Sequence, residues 1–374
     1  MPRAAHIYRL GVKELWSLAR DPAMLALIAY TFTGAIYISA TAMPETLHHA
    51  PIAIVDEDLS PLSARLTRAF FLPRFNEPAM IQVSDVDAGM DHGTYTFALD
   101  IPPDFQRDVL AGRTPALQLS VDATRMSQAF TGSGYIRMMV STEIDDFVRR
   151  HRSLDPAPVE LALRTRFNPN LEHSWFGALM EVLNNVTMLS IVLTGAALIR
   201  EREHGTIEHL LVMPVTPAEI MLAKVWSMGL VVLAAAAFAL VVVVQGVLHV
   251  PIEGSLLLFL TGAVLHVFAT TSLGIFMATV ARSMPQFGML AVLILLPLQL
   301  LSGNATPRES MPGFLQTLME ASPTTHFVLV GQAILFRGAG LSVVWPSFLA
   351  LAAIGTVLFA ISLNRFRKTI NQMS

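Results

Sequence analysis

Apolar positions along this chain fall into two regimes. In the first, six long stretches are almost free of charge, at about 23–43, 176–199, 220–247, 256–280, 287–301 and 343–363. A bilayer core about 30 Å thick is crossed by about 20 residues rising 1.5 Å each, so these stretches predict six transmembrane helices. In the second regime, residues 44–175 alternate short β-branched or aromatic runs with segments of helical periodicity. Strands are expected at 51–55, 80–83, 95–101, 116–121 and 159–166, and helices at 62–72, 104–111 and 127–151. Alternating elements over about 130 residues make a folded unit with its own core. The fold class expected is an α-helical integral membrane protein with six transmembrane helices and an extracytoplasmic mixed α/β domain inserted between helices 1 and 2.

Local signals sharpen the ends. Asp21-Pro22 supplies a cap acceptor and a preorganised first-turn proline before the first span. Thr216-Pro217-Ala218-Glu219, Ser283-Met284-Pro285-Gln286 and Thr306-Pro307-Arg308-Glu309 have the spacing of capping boxes. Pro297 lies inside the fifth and shortest stretch, where a neighbour must satisfy the carbonyl it frees. Segment 302–342 is neither clearly spanning nor clearly soluble: its apolar helical runs, 314–319 and 327–336, are too short to cross. They read as re-entrant or interfacial helices on the outer side, and an amphipathic loop fits their length equally. Residues 1–22 mix Tyr8, Leu10, Leu15, Trp16 and Leu18 with bases, which suits a helix lying in the cytoplasmic interface, or a plain extension of the first span.

Composition agrees with a lipid solvent: 53% of residues are hydrophobic, 14% are charged and the mean hydropathy is +0.55. With no cysteine, disulfide frameworks and thiolate metal or redox centres are excluded. The formal net charge of −3 gives no footprint for nucleic acid. The insert 44–175 holds 18 of the 28 acids and 12 of the 25 bases, all arginine, as befits a water-facing unit. Of the other bases, Arg3, Arg9, Lys13, Arg20, Arg200, Arg202, Lys224, Arg282, Arg365, Arg367 and Lys368 fall on one side, and only Arg308 and Arg337 on the other. The positive-inside rule then places both termini, with the tail 364–374, in the cytoplasm and the insert outside. Ala40-Thr41-Ala42 resembles a signal-peptidase site, but the apolar stretch before it exceeds the usual length, which favours an uncleaved anchor.

Chemical motifs are scarce. The sequence has no phosphate-binding P-loop and no H-E-x-x-H pair, and its eleven histidines are not at ligand spacing, so no catalytic residue and no metal site is assigned. Gly132-Ser133-Gly134 reads as a flexible joint rather than a nucleophile elbow. Polar groups inside spans are costly. Glu181, Asn184, Asn185 and Thr187 on the second span, with Gln299 on the fifth, are candidates for a substrate path. Gln245, His249 and His266 are scattered elsewhere. The alternative for each is interhelical hydrogen bonding that holds the bundle together. Between the second and third spans, Gly205 interrupts the helix, Thr206 can cap a new one and Pro214 ends it. A short helix over 205–214, lying across the membrane face, would give a partner protein a stiff lever. A solvated charged turn is the other reading.

Arg200-Glu201-Arg202-Glu203-His204-Gly205-Thr206, followed by Glu208, Leu210-Leu211-Val212 and Pro214, resembles the R-E-x-E-x-G-T-x-E-x-L-L-x-x-P signature of ABC-2 type transporter permeases. The likeness extends through Val55-Asp56-Glu57-Asp58, Phe167-Asn168-Pro169-Asn170 and Pro323-Thr324-Thr325-His326. It is nearest to bacterial inner-membrane efflux permeases with a large periplasmic insert. The resemblance implies the permease subunit of an exporter, multi-pass in the inner membrane, moving substrate outward, with drug efflux as one version. It implies no enzyme activity and no cofactor on this chain, with ATP and Mg held by a separate ATPase subunit. That subunit would couple through Arg200, Glu201, Arg202, Glu203, Gly205, Thr206, Glu208, Leu210, Leu211 and Pro214, and would also dock on the N-terminal helix. A second permease copy, as homodimer or close paralogue, and a periplasmic membrane-fusion adaptor complete the implied assembly. Two rivals stand beside this reading. A membrane-anchored sensor with a periplasmic ligand-binding domain lacks a sizeable output domain in the short tail after Leu363, and an intramembrane enzyme lacks paired catalytic residues.

Overall fold

The computed structural model describes residues 3–41, 49–122, 126–152, 173–203, 205, 215–303, 306 and 308–371. The chain divides into two compact units, 44–164 and the remainder. Among the described residues of the larger unit, six helices are long and apolar enough to cross a membrane: Pro22–Thr41, Ser174–Glu203, Pro217–Val247, Leu256–Val280, Met284–Leu301 and Leu341–Thr369. Each expected stretch has its helix; the third and fifth begin three residues before their apolar runs, the third behind a side-chain cap. At the third span, Glu219 N–H donates to Thr216 Oγ1 at 3.3 Å, and Thr216 N–H donates back to the Glu219 carboxylate at 2.6 Å. At the first, Asp21 Oδ1 accepts from Ala23 and Met24 N–H at 3.1 and 3.2 Å.

One expected box does not form. Ser283 makes no side-chain cap bond; Gln286 Oε1 accepts from Arg282 N–H at 2.8 Å instead, and Met284 N–H donates to Glu203 of the second span. Of the box expected from Thr306, Pro307 lies outside the described residues, and Arg308–Ser310 form a single 3-10 turn.

The second span is the axis of this unit. In its most apolar window 78% of residues are buried, against 17% in the fifth and sixth spans. A helix so enclosed must satisfy its polar groups within the protein. It does so at the first span, which widens into a π turn at Thr31–Ala35, where the Asn185 side chain donates to the Thr31 carbonyl at 2.7 Å. Between the fifth and sixth spans, helix Gly313–Glu320 is followed by Pro323–Gly331, which runs into a π turn at Gln332–Phe336. Phe327, Val330, Ile334 and Leu335 are buried in one cluster with Leu183, Val186 and Phe259. This short helix therefore belongs to the bundle core and is not an ordinary surface loop.

The smaller unit carries a four-stranded sheet, β1 (Ile52–Asp56), β2 (Ala79–Met80), β3 (Phe97–Ile101) and β4 (Gln118–Val121), in the order β2-β1-β3-β4. β1 is parallel to β2 and β3, and β3 is antiparallel to β4. Ile52, Ile54, Phe97 and Leu99 join Leu62, Leu66, Phe105 and Phe147 in the core. Arg65, on helix Pro61–Ala69, meets Glu143 of the long helix Met126–Arg152 at 2.6 Å. Three expectations are corrected. The strand at 80–83 shrinks to β2, and Val83 opens a helix, Val83–Asp91. The helix at 62–72 stops at Ala69, where Phe70 turns to extended backbone at φ −90° and ψ 104°. Gly132-Ser133-Gly134 is not a joint but lies within Met126–Arg152, whose buried Ile136 and Phe147 hold it to the core. The strand expected at 159–166 lies outside the described residues.

Candidate functional site

Four consecutive residues end the second span, and each reaches a different part of the unit. Arg200 Nη1 pairs with Asp21 Oδ2 at the start of the first span. The Glu201 carboxylate lies 2.8 Å from Lys224 Nζ on the third span and 3.0 Å from Lys13 Nζ on the N-terminal helix Arg3–Ala19. Arg202 donates to the carbonyls of Ala278, at 3.4 Å, and Ala281, where the fourth span ends. Glu203 Oε1 accepts from Met284 N–H at 2.8 Å, where the fifth begins. The reason is geometric. Successive side chains of an α-helix point about 100° apart, so four in a row sweep the full circle, and a span surrounded by others has a neighbour in each direction.

At the centre of this turn is Lys224, 2% exposed, with Glu14 of the N-terminal helix 3.0 Å away on its other side. Two carboxylates thus share one buried ammonium, while Lys13, half exposed, answers Glu201 from the rim. Burial pushes the Glu14 carboxyl up, against the pull of Lys224, and the Glu201 charge beside it adds to the rise. At Asp21 some desolvation acts upward, but the N–H of Met24, the Arg200 guanidinium and the N–H of Ala23 outweigh it and hold the carboxyl below its usual range. Aromatic packing fixes the same helix. Trp226 Nε1 donates to the Ile7 carbonyl at 3.1 Å, Tyr8 stacks on the Trp226 ring at 6.0 Å, and Gly11 lies so close that any Cβ there would strike that ring.

Of the residues in this turn, the sequence singled out Arg200 to Glu203 and took Lys224 as a cytoplasmic base without a partner of its own; Glu14 was not singled out. The signal was available: Lys224 stands two turns inside an apolar span, where an ionisable group asks for a partner. Of the other expected coupling residues, Gly205 ends the helix in the left-handed region, φ +68°, with open space where a Cβ would stand, and its N–H donates to the Arg202 carbonyl at 3.2 Å. Thr206, Glu208, Leu210, Leu211 and Pro214 lie outside the described residues.

The expected path residues are placed as follows. Glu181 lies half-buried on the second span, on the same helix face as Asn184 and Asn185. Asn185 reaches the first span, as above, and Thr187 Oγ1 lies 2.8 Å from Nε2 of the buried His266 of the fourth span. His266 in turn stacks on Phe327 with ring centroids 4.0 Å apart. Gln299 is half buried on the fifth span, a different helix from the one that carries the other four. Asn185 and Thr187 therefore tie helices together at the positions they occupy.

Six apolar helices, one of them enclosed by its neighbours and ending in a turn cross-braced by charge, define a multi-pass membrane subunit of the transport permease type. The chain belongs to the ABC-2 family of transporter proteins, whose sequence model matches residues 23–364. It is 60% identical over 374 residues, the full length of both chains, to the inner membrane transport permease YhhJ of Escherichia coli K12. It is 27% identical over 366 residues, 97% of this chain and 99% of the relative, to a protein of the same organism described as "Probable multidrug ABC transporter permease YbhR". To that organism's "Probable multidrug ABC transporter permease YbhS" it is 25% identical over 260 residues, 68% of this chain and 67% of the relative.

Proposed function

We propose that this chain is the membrane-spanning half of an ATP-driven exporter in the inner membrane, with both termini and the turn at Arg200 to Glu203 facing the cytoplasm and the unit 44–164 facing the periplasm. ATP is hydrolysed by a separate ATPase subunit, which docks on 205–214 and on the N-terminal helix. Its closure pushes the end of the second span through Arg200 to Glu203, and the start of the third through Thr216 to Lys224. Two permease copies enclose the path, cargo leaves outward, and a periplasmic adaptor receives it. Two relatives are described as probable multidrug permeases, which makes drug-like cargo the first class to test.

The observation that carries this reading is the four-way bracing of Arg200 to Glu203 on an enclosed span that stops at a left-handed glycine. A stiff rod with a break at its end and bonds to its neighbours is what a push from a partner needs. A receptor for a ligand is not favoured, because the family is one of transporters. The test is copurification of an ATPase from native membranes, followed by ATPase and export assays on Gly205→Pro and on the Glu201→Gln, Glu203→Gln pair. The reading expects normal membrane insertion with stimulated ATPase or export reduced about ten-fold or more, the loss that corresponds to about 1.4 kcal/mol of coupling. Unchanged coupling, or a chain that exports with no ATPase, overturns it.

A further inference from the structure

The fifth span starts in an unusual way. Its N-cap position holds Ser283, one of the best capping residues, three before a glutamine that could complete the box. Two other helices in this chain with the same arrangement use it: Ser60 with Ser63, and Thr216 with Glu219. Ser283 does not. Its first-turn N–H, at Met284, is taken by Glu203, 81 positions away on the second span, and Gln286 turns to Arg282 N–H. One backbone angle separates the two conditions. Ser60 and Thr216 have φ of −103° and −89° with ψ of 166° and 152°, whereas Ser283 has φ −146° at ψ 163°. A rotation of roughly 50° about one bond would bring Ser283 to the geometry of the other two, an amplitude that an extended residue takes without strain.

The residue beside Glu203 acts on the same connection. Arg202 donates to the carbonyls of Ala278 and Ala281, the unsatisfied end of the fourth span. A cation at a carboxyl end and an anion at the following amino end both match the helix dipoles, so the second span holds the turn 281–283 from two sides. Glu203 is also the last helical residue before the break at Gly205, and thus the part of the rod displaced first by any movement of 205–214.

We infer that the start of the fifth span exchanges caps: Glu203 caps it from the second span in the state seen here, and the Ser283–Gln286 box caps it when Glu203 is withdrawn. The exchange trades the amides of Met284 and Arg282, satisfied here, for those of Gln286 and Ser283, so the number of satisfied first-turn amides is kept as the two spans separate. As a device for coupling it rests on the exporter reading; as a property of the fold it does not. Ser283 is a positioning residue, silent until Glu203 leaves, whereas Gln286 changes its partner from Arg282 N–H to Ser283 N–H.

A double-mutant cycle on the full chain in lipid nanodiscs tests the exchange without any partner. Hydrogen exchange of residues 282–288 is followed in the wild type, Glu203→Ala, Ser283→Ala and the double variant, with protection of the second span as the control for folding. Each single change leaves one cap, so exchange should quicken less than about two-fold, whereas the double variant should quicken about five-fold or more, as loss of an N-cap predicts. Gln286→Ala in place of Ser283→Ala should repeat the pattern over 283–288, residue 282 being left out because Gln286 holds its N–H while Glu203 is in place, and it decides the matter if the first double variant loses its fold. Equal effects of Ser283→Ala with and without Glu203 overturn the inference. With the ATPase and a non-hydrolysable nucleotide added, Ser283→Ala alone should quicken exchange about five-fold. If the cycle holds but no ATPase associates, the exporter reading fails and the cap exchange stands; if an ATPase couples normally and the cycle is additive, the reverse is true.

Discussion

Lys224 and Glu201 lie 2.8 Å apart at a depth where Lys224 is 2% exposed, and the same ammonium is 3.0 Å from Glu14. A buried charge is tolerated when it is paired and is costly when the partner is removed. Lys224→Met should therefore destabilise the membrane unit by about 3–5 kcal/mol, because two buried carboxylates lose their common cation. Replacing Glu14 and Glu201 by Gln in the same chain should restore most of that loss while leaving ATPase coupling impaired. Denaturant unfolding in mixed micelles checks the first expectation and nucleotide-stimulated activity the second; a triple variant as unstable as Lys224→Met would refute the pairing.

The N-terminal helix is pressed onto Trp226 at Gly11. Gly11→Leu puts a side chain where the indole ring stands, so the helix should lift off together with Glu14. Trypsin cleavage after Arg9 and Lys13 should become about ten-fold faster, equivalent to about 1.4 kcal/mol of lost docking. A protection pattern identical to the wild type would show that the ring moves aside at no cost.

Asp21 gives a pH dependence with a definite sign. Its folded carboxyl titrates below its ordinary value, so its stabilising effect is complete above the unfolded pKa of about 3.9 and fades as pH falls through the lower folded value. The difference in stability between the wild type and Asp21→Asn should be constant from pH 7 to about 5 and shrink below about 4. Thermal melts of the pair over that range check it, and a gap that widens in acid would contradict it.

Asn185 donates to the carbonyl of Thr31 at the π turn of the first span. Asn185→Leu keeps the branched side chain of four heavy atoms and removes the donor, at an expected cost of about 1 kcal/mol from the lost bond, as for other hydrogen bonds between membrane helices. A loss of export without this modest loss of stability would instead assign Asn185 to cargo.

Much of this fold was legible because lipid imposes a simple demand: about 20 apolar residues are needed per crossing, and six stretches meet it. The caps at Asp21 and Thr216 were legible for a local reason, since donor and acceptor lie within four residues. The cap at Ser283 was not, because its acceptor comes from Glu203, and no pattern within one segment records what another segment brings to it. Helix Val83–Asp91 was hidden by Gly89 and by aspartates that favour turns, and it follows a strand of only two residues. Lys224 was visible as a base and counted for orientation, but its role depends on Glu14, 210 positions earlier. Arg200 to Glu203 were found through the signature, yet which helix each one holds appears only when the spans are packed around them.

The ionic cluster at the end of the second span contains Lys13, Arg200 and Lys224 against Glu14, Asp21 and Glu201. Its charges cancel. Displacing one elementary charge through a membrane voltage of 100 mV takes about 2.3 kcal/mol, but a neutral group that shifts as one body does no net work against that field. On the exporter reading proposed above, the stroke of this turn should then be the same in an energised cell and in a depolarised vesicle, leaving nucleotide turnover as its sole clock.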